Sequence, residues 1–411
     1  MPVPKPRSRP LWVSTTYFAE GLPYMLVRFL SSVYLTDIGL KESYLGFTNF
    51  LNLPWNLKFL WAPAVDLYGT KRSWLLRIEA LVTVLVALIG FLTTFGPPVV
   101  ANGVEMAPGG SGWAVQAVLA ALVALAFVAA THDISIDAYY MEAIPDPKEQ
   151  AAYTGLRVLT YRIAVIFAKS VLVALAARVS WEVGDWIVGF EGSWLLAFLG
   201  GSVTMGALLL FHAWYLPRVE KPHERPSNAR ALKEWGRAFT TYLEQPRVVL
   251  VLAFVISYKL GDEVLFSMNT PFLMRGLGVP KEDLSWIAGV VGTGASIAGS
   301  LVSAWAMKRF GFRKAVWPLT LGMNLNIWAY IWLALESPDP STTAGLGTIA
   351  FVHAYEQFAA GLGNAVLIVF IMRTCRAEFK AAHYAVASAI ASLGGTVFGG
   401  FGGVIVEHFG Y

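Results

Sequence analysis

The chain has 411 residues, of which 56% are hydrophobic and 14% are charged, and its formal net charge is +4. Soluble proteins carry roughly 25% charged residues, so this composition excludes an ordinary soluble domain, and the small positive charge requires no nucleic-acid partner. The single cysteine, Cys375, excludes an intramolecular disulfide.

Long apolar segments recur along the whole chain. A membrane-spanning helix needs about 20 mostly apolar residues. Eleven segments meet this requirement, with approximate limits in chain order of 11–35, 44–64, 74–96, 113–137, 151–177, 193–216, 248–274, 284–307, 315–336, 344–372 and 381–405. The basic N-terminal stretch runs directly into the first segment without an A-x-A-like cleavage site, so we predict a retained helix and not a signal peptide. The pattern indicates an all-α polytopic membrane protein.

The distribution of lysine and arginine predicts the orientation. With the N-terminus in the cytoplasm, 21 of these residues fall on the cytoplasmic side of the predicted spans and four fall on the opposite side. Because cytoplasmic loops of membrane proteins are enriched in Lys and Arg, we predict a cytoplasmic N-terminus.

The longest predicted cytoplasmic connection, 217–247, follows the sixth span and divides the chain. It separates a predicted six-helix bundle, 1–216, from a second bundle of five helices, 248–411. The junctions after spans 2 and 8, APAVDLYGTKRSWLL and AWAMKRFGFRKAVW, each place a glycine and a basic pair between two helices. We interpret this similarity as a parallel repeat, as in transporters built from two related halves.

Ionisable side chains fall inside the predicted spans, where a charge costs about 2.5–3.5 kcal/mol or more. Such groups must face each other or a wet cavity, and a wet cavity that crosses a membrane indicates a transport path. For Lys58, near a cytoplasmic end, a snorkelling side chain is the simplest interpretation. The groups are Arg28, Lys58, Arg157, Arg162, Lys169, Lys259, Glu20, Asp133, Asp137, Asp262, Glu263 and Glu356.

Two carboxylates at the end of span 4 are candidates for proton coupling. Asp133 and Asp137 lie four residues apart and therefore share one helix face. Arg157 and Arg162, early in span 5, are candidate partners, and a structural ion-pair network is the alternative. Glu20 lies near mid-membrane beside a proline that favours a kink, and it is a third candidate for coupling.

A second set of polar side chains suits recognition of a small polar or anionic molecule. The cations in spans 5 and 7 suit a carboxylate or phosphate, and the asparagines of span 2 form one stripe that suits a sugar or an amide. A self-contained Lys–Asp pair and hydrogen bonding between helices remain the alternatives. The candidate binding residues are Lys259, Asp262, Arg162, Lys169, Asn49, Asn52, Asn56 and Glu356.

The short turn after span 2 is a candidate gate. A carboxylate at a helix end, a glycine and a basic pair can clamp neighbouring helices through charge-assisted hydrogen bonds, and a solvated turn is the alternative. The residues are Asp66, Gly69, Lys71 and Arg72, with Arg313 and Lys314 in the second copy. No metal-ligand cluster or catalytic triad spacing stands out.

Several stretches resemble the AmpG-type muropeptide permeases of the major facilitator superfamily, which are related to acetyl-coenzyme A transporters. These stretches are YFAEGLPYMLV, NLPWNLKFLWAPAVDLYGTKRSWLL, HDISIDAYYMEAIP, GLRVLTYRIAV, YKLGDEVLFSMNTPFL and KAAHYAVASAIASLGGTVFGG. In this resemblance Asp133 and Asp137 match the acidic pair of the family motif, and Lys259 with Asp262 match its K-L-G-D segment.

The resemblance implies two pseudo-symmetric helical bundles around a central cavity. It also implies proton-driven import of anhydro-muropeptides across a bacterial inner membrane by alternating access. That architecture has twelve helices, so we expect that the chain stops before the last one, and a genuine eleven-span protein is the alternative. We expect a monomer that binds a small anionic substrate and uses the proton gradient with no cofactor.

Three other functions remain open at this point. A transporter for another bulky anion, such as acetyl-coenzyme A, would need clustered cavity cations. A membrane acyltransferase would need a catalytic cluster near one face, for which His132 and Asp133 are the only hint. A sensor built on a transporter fold would bind ligand without proton-linked flux.

Overall fold

The computed structural model describes residues 8–67, 69–95, 112–183, 186–191, 193–219, 236–237, 240–258, 260–375 and 380–411. Helices dominate these ranges, which confirms the predicted all-α class. The exception is a hairpin between predicted spans 5 and 6, in which β1 (Arg178–Val183) pairs antiparallel with β2 (Trp186–Glu191). The sequence analysis did not predict this hairpin.

The helices of the described ranges are numbered here along the chain. In chain order they are α1 (Arg9–Met25), α2 (Ser31–Asp37), α3 (Glu42–Phe47), α4 (Leu53–Leu57), α5 (Ala62–Leu67), α6 (Lys71–Thr93), α7 (Gly112–Ala143), α8 (Pro147–Ile166), α9 (Val173–Ala176), α10 (Trp194–Tyr215), α11 (Val248–Ser257), α12 (Leu260–Pro271), α13 (Lys281–Trp286), α14 (Gly292–Phe310), α15 (Phe312–Asn324), α16 (Asn326–Glu336), α17 (Thr343–Thr374), α18 (Lys380–Gly400) and α19 (Gly402–Phe409).

Wide π-helical turns interrupt several of these helices. Leu26–Leu30 joins α1 to α2, Phe167–Leu172 joins α8 to α9, Phe272–Gly276 follows α12, and Ile287–Val291 joins α13 to α14. Single π turns inside α-helices are rare and occur frequently at functional sites.

Seven helices in the described ranges are each long and apolar enough to cross a membrane. They are Lys71–Thr93, Gly112–Ala143, Lys148–Ala176, Trp194–Tyr215, Lys281–Phe310, Thr343–Thr374 and Val386–Phe409. They coincide with predicted spans 3, 4, 5, 6, 8, 10 and 11. The other four predicted spans are divided among shorter helical segments, so the total of eleven spans stays a prediction.

The chain forms two compact units. The described part of the first unit lies within Met1–Tyr34, Leu57–Pro98 and Pro108–Arg225, and that of the second lies within Leu35–Asn56 and Pro226–Tyr411. The second unit therefore includes α3 and most of α4, although these helices come before most of the first unit in the sequence.

Local sequence fixes where two long helices of the first unit begin. Thr70 accepts a hydrogen bond from the backbone N–H of Ser73, and the Ser73 hydroxyl oxygen accepts one from the backbone N–H of Thr70, which closes a capping box at the start of α6. Ser193 caps α10 with a single bond, in which its hydroxyl oxygen accepts from the backbone N–H of Leu196. Such caps satisfy backbone donors that have no partner inside the helix.

Small residues allow the helices of the first unit to approach closely. A Cβ added at Gly90 on α6 would lie 3.0 Å from the Cβ of Phe198 on α10, and one at Gly21 on α1 would lie 3.1 Å from the Cβ of Ala164 on α8. Helix pairs in membranes depend on such contacts, because lipid supplies no hydrophobic force that drives helices together.

The second unit is packed around α14 and α17, where the approach is closer still. A Cβ at Gly299 would overlap the carbonyl oxygen of Phe358, and one at Gly361 would overlap the carbonyl oxygen of Ser296. Glycine is therefore required at both positions for this helix contact to form.

Ion pairs attach the segment 35–56 to the rest of the second unit. Arg275 forms a 2.8 Å salt bridge with Glu42 and also donates to the backbone carbonyl of Thr36. Lys281 forms a 2.8 Å salt bridge with Asp37. These salt bridges, at the ends of α2, α3 and α13, therefore stabilise the contact of segment 35–56 with the rest of the second unit.

Candidate functional site

The first unit brings both span 4 carboxylates of α7 into contact with cations. Lys58 Nζ lies 2.5 Å from Asp133 Oδ2, and Arg157 Nη2 lies 2.8 Å from Asp137 Oδ1. The Tyr17 hydroxyl donates a 2.7 Å hydrogen bond to the same oxygen of Asp137. Lys58 is thus an ion-pair partner of α7, where the sequence suggested a snorkelling side chain.

Aromatic rings fix the position of the arginine in this network. The guanidinium carbon of Arg157 lies 4.2 Å from the ring centre of Tyr17 and 4.5 Å from that of Tyr140. A guanidinium between two ring faces gains cation–π attraction in addition to its salt bridge. Because Tyr17 also donates to Asp137, α1, α7 and α8 meet at one charged point.

Glu20, one turn along α1 from Tyr17, adds a third carboxylate to this region. Its side chain interacts electrostatically with Asp133 and Asp137 and with both cations that pair with them. Its Oε2 atom is buried and accepts no hydrogen bond from the residues that the structure describes. A buried carboxylate oxygen without a donor is costly when ionised, and the cost disappears when a proton binds.

Two cations lie deeper along α8 and its π turn. Lys169, only 8% exposed, has its ammonium nitrogen 4.7 Å from the ring centre of Phe29. Phe29 lies in the π turn after α1, so each partner of this contact lies in a π turn. Arg162 is half-buried, and no salt bridge or hydrogen bond joins it to the described part of the chain. Both cations therefore lie on the same helical segment, one in α8 and one in the π turn that follows it.

Glu356 on α17 lies at the centre of a polar cluster in the second unit. Its Oε2 accepts hydrogen bonds from Asn269 Nδ2 at 3.2 Å and from Gln357 Nε2 at 2.8 Å. His353 Nδ1 lies 3.7 Å from the same oxygen and 3.1 Å from the Tyr330 hydroxyl. Only Glu356 of this cluster was among the predicted site residues.

The other predicted residues of span 7 are placed only in part. Asp262 is buried on α12. Lys259 lies outside the described residues, so the predicted Lys–Asp pair stays a prediction.

The asparagine stripe of span 2 contacts α18 within the second unit. Asn56 Nδ2 donates to Thr396 Oγ1 at 2.8 Å, and Asn52 Nδ2 lies 3.3 Å from both Thr396 Oγ1 and Ser392 Oγ. Asn49 is buried close to Gly399. The amides of Asn52 and Asn56 thus join helices through hydrogen bonds.

The first candidate gate is a capped turn. Gly69 has a φ of +71°, a conformation that favours glycine. Lys71 Nζ donates to the carbonyl of Val65 at 2.9 Å, and Arg72 Nη2 donates to that of Ala213 at 2.6 Å. The side chain of Asp66 lies outside what the structure describes.

The second copy of this turn lies between α14 and α15. Gly311 has a φ of +79°, close to that of the corresponding glycine in the first copy. Arg313 and Lys314 are exposed at the start of α15.

One buried pair escaped the sequence analysis. His212 Nδ1 on α10 lies 2.9 and 3.0 Å from the two carboxylate oxygens of Glu79 on α6, and both side chains are at most 1% exposed. The signal was present, since Glu79 lies inside predicted span 3 and His212 lies near the end of predicted span 6. No group of three or more His, Cys, Asp or Glu residues in the described ranges is arranged to hold a metal ion.

Comparison with known proteins identifies the family to which this chain belongs. The sequence profile of the Major Facilitator Superfamily matches residues 13–352, well over half of the chain. The chain is 26% identical to the anhydromuropeptide permease of Escherichia coli K12, over 96% of this chain and 73% of that protein. It is 25% identical to a putative transporter AmpG 4 of Rickettsia felis, over 95% of this chain and 88% of that protein.

Solved structures show the same fold at low identity. A bacterial homologue of the human lysosomal transporter Spinster gives a TM-score of 0.67 at 15% identity, covering 97% of this chain and 81% of that one. The nucleoside transporter NupG gives 0.66 at 16% identity, covering 97% and 91%. These findings confirm the predicted fold and the transporter class: the chain belongs to the Major Facilitator Superfamily and is a multi-pass membrane transporter of small molecules.

Proposed function

We propose that this transporter imports anhydro-muropeptides together with protons, by alternating access, across a bacterial inner membrane. The observation that carries the proposal is the network of Asp133, Asp137 and Glu20 with two cations inside the first unit. The similarity to a permease named for anhydro-muropeptides supports the choice of substrate.

Protonation of Asp137 would weaken the hydrogen bonds that Arg157 and Tyr17 donate to it. The ionised carboxylate accepts two hydrogen bonds from these residues, and a bond to a charged group contributes about 1.5–3 kcal/mol. A proton on Asp137 removes the charge and weakens both bonds, so the contact among α1, α7 and α8 loosens. Binding of a proton is thereby coupled to a change in helix contacts.

The deeper cations suit the substrate's negative charge. A muropeptide carries peptide carboxylates, which Arg162 and Lys169 attract from α8 and its π turn. Lys259, Asp262 and Glu356 complete the proposed binding residues. The asparagine stripe of span 2, Asn49, Asn52 and Asn56, also belongs to this proposed set, in addition to its hydrogen bonds with α18.

The remaining features of the proposal follow from the sequence. The excess of Lys and Arg on one side favours a cytoplasmic N-terminus. The proton gradient serves as the driving force without a cofactor, and the chain acts as a monomer. The turn at Gly69, Lys71 and Arg72, with Asp66, acts as a gate together with Arg313 and Lys314.

The decisive experiment is uptake of labelled anhydro-muropeptide into membrane vesicles with and without a proton gradient. Wild-type uptake should rise with the gradient and fall when a protonophore is added. Asp137→Asn should remove the gradient-dependent part while exchange of substrate across the membrane persists, because exchange needs no net proton movement. Glu149→Gln, which removes a partly buried carboxylate paired with Arg9 at the start of α8, is the matched control.

Two results would overturn the proposal. Gradient-driven accumulation by Asp137→Asn at the wild-type level would exclude this carboxylate from coupling. Uptake of labelled acetyl-coenzyme A with no uptake of the muropeptide would instead favour the bulky-anion alternative.

A further inference from the structure

The ring of Tyr140 is held by contacts that involve neither Arg157 nor Asp137. Tyr140 lies on α7, three residues after Asp137, and is only 1% exposed. Its hydroxyl donates a 2.8 Å hydrogen bond to the backbone carbonyl of Gln150 on α8. Its ring centre lies 6.3 Å from that of Trp12 on α1, in a tilted arrangement. Contacts with both α1 and α8 therefore fix this ring.

The acceptor of the Tyr140 hydroxyl is itself fixed at the start of α8. Gln150 Nε2 donates to the carbonyl of Ile144 at 2.7 Å, and the Gln150 backbone N–H donates to the carbonyl of Asp146 at 2.9 Å. These bonds close the turn between α7 and α8. Because they join residues of this turn to one another, they do not depend on the charge of Asp137.

Tyr17 is the second ring in contact with the guanidinium, and it is attached differently. The ring centres of Tyr17 and Tyr140 lie 5.7 Å apart, edge to face. The Tyr17 hydroxyl donates to Asp137, so a change of charge on this carboxylate acts directly on Tyr17. The Tyr140 hydroxyl donates to the backbone of α8 instead. Of the two rings, Tyr140 is therefore the one whose position does not follow the carboxylate.

The contact between Tyr140 and Arg157 matters most when Asp137 carries a proton. The 2.8 Å salt bridge between Arg157 and Asp137 then loses its negative charge. The face of an aromatic ring still attracts the cation, and the guanidinium carbon lies 4.5 Å from the centre of the Tyr140 ring. A long side chain without such a contact would spread over several rotamers, and re-forming the ion pair would then cost side-chain entropy.

We infer that Tyr140 is a positioning residue for the proposed proton coupling. Its ring holds Arg157 beside Asp137 while this carboxyl is protonated, so that the ion pair re-forms when the proton leaves. The inference rests on the proposed function, because it gives Tyr140 a task within the same carboxylate network. The ring face contacts the guanidinium and the hydroxyl only fixes the ring, so an aromatic residue without a hydroxyl should retain most of the effect.

The experiment compares two rates in membrane vesicles, namely gradient-driven uptake of labelled anhydro-muropeptide and exchange of the same substrate without a gradient. Tyr140→Leu removes the ring, so the ratio of driven uptake to exchange should fall by about twofold to thirtyfold, the range that corresponds to one cation–π contact. Tyr140→Phe keeps the ring face and should hold the ratio within about twofold of the wild-type value. A general loss of folded protein lowers both rates together and leaves their ratio unchanged.

Fluorinated phenylalanines at position 140 test the ring face itself. Each added fluorine withdraws electron density from the face of the ring and weakens its attraction for a cation, while the size of the side chain changes little. The ratio of driven uptake to exchange should therefore fall stepwise with one, two and three fluorines. This series also decides the question if Tyr140→Leu does not fold, because every member retains an aromatic ring.

Tyr139, the preceding residue on α7, provides the matched control. It is also 1% exposed, its ring lies edge-on to Trp12 at 5.5 Å, and its hydroxyl donates to the carbonyl of Pro217. Tyr139→Leu should lower the amount of folded protein and leave the ratio unchanged. An unchanged ratio in Tyr140→Leu, or a fluorine series without a trend, would overturn this inference alone. Wild-type uptake that does not respond to the gradient would overturn the proposed function, and this inference with it.

Discussion

Replacing Glu79 with leucine removes the hydrogen-bonded contact between α6 and α10 and leaves His212 buried without this partner. The two side chains are at most 1% exposed, and the imidazole nitrogen contacts both carboxylate oxygens at 2.9 and 3.0 Å. Removing one member of a buried pair costs about 3–5 kcal/mol, because the other member stays in a medium of low polarity. His212→Leu should cost a similar amount for the same reason.

The double substitution Glu79→Leu with His212→Leu should lose little stability or none. Apolar pairs that replace buried ion pairs are often neutral, or stabilising by about 1–4 kcal/mol. If the two single losses were independent, they would sum to about 6–10 kcal/mol. The double variant should therefore be far more stable than this sum predicts. The free energy of unfolding is measured in mixed detergent–SDS micelles by tryptophan fluorescence.

An exposed carboxylate provides the control for this cycle. Glu336→Leu at the end of α16 should change stability by no more than about 0.5 kcal/mol, as surface substitutions do. Single variants that each lose less than about 1 kcal/mol, or a double variant equal to their sum, would show that the pair is not a coupled buried interaction.

Two further predictions concern helix packing and helix ends. Gly361→Ala should lower the melting temperature and the yield of folded protein, because the new methyl group overlaps a carbonyl of α14, whereas Gly347→Ala on the same helix meets open space and should be neutral. An unchanged melting temperature for Gly361→Ala would contradict the close contact of α14 and α17. Thr70→Ala should cost about 0.5–2 kcal/mol by removing the capping box of α6, measured by the same unfolding assay. Equal stability with and without this hydroxyl would refute the assigned cap.

Local features of the fold could be predicted from sequence because they depend on nearby residues. Apolar length identified the seven long helices, and a spacing of four placed Asp133 and Asp137 on one face of α7. The sequence also marks the turn before α6 by its glycine, which has the positive φ that glycine adopts readily. Each of these depends on one continuous stretch of about 20 residues or fewer.

The partners across the fold could not be predicted in the same way. Glu79 and His212 are 133 residues apart, and Lys58 and Asp133 are 75 apart, so their contacts arise only when whole helices pack. The asparagine stripe illustrates the same limit, because its spacing predicted a polar face but did not show that Thr396 would occupy it. Hydropathy also does not distinguish an α turn from a π turn, since both are equally apolar.

The π turns change the direction in which side chains point along a helix. An α-helix advances by about 100° per residue, so the direction of every side chain is normally fixed by those before it. Each wide turn holds one residue more than an ordinary turn and shifts this angular register. On the first span, the direction in which Glu20 points is therefore offset, relative to the residues after Leu30, from what an unbroken α-helix would give. A one-residue deletion inside Leu26–Leu30 would reset that angle and leave Glu20 and its carboxylate neighbours in place.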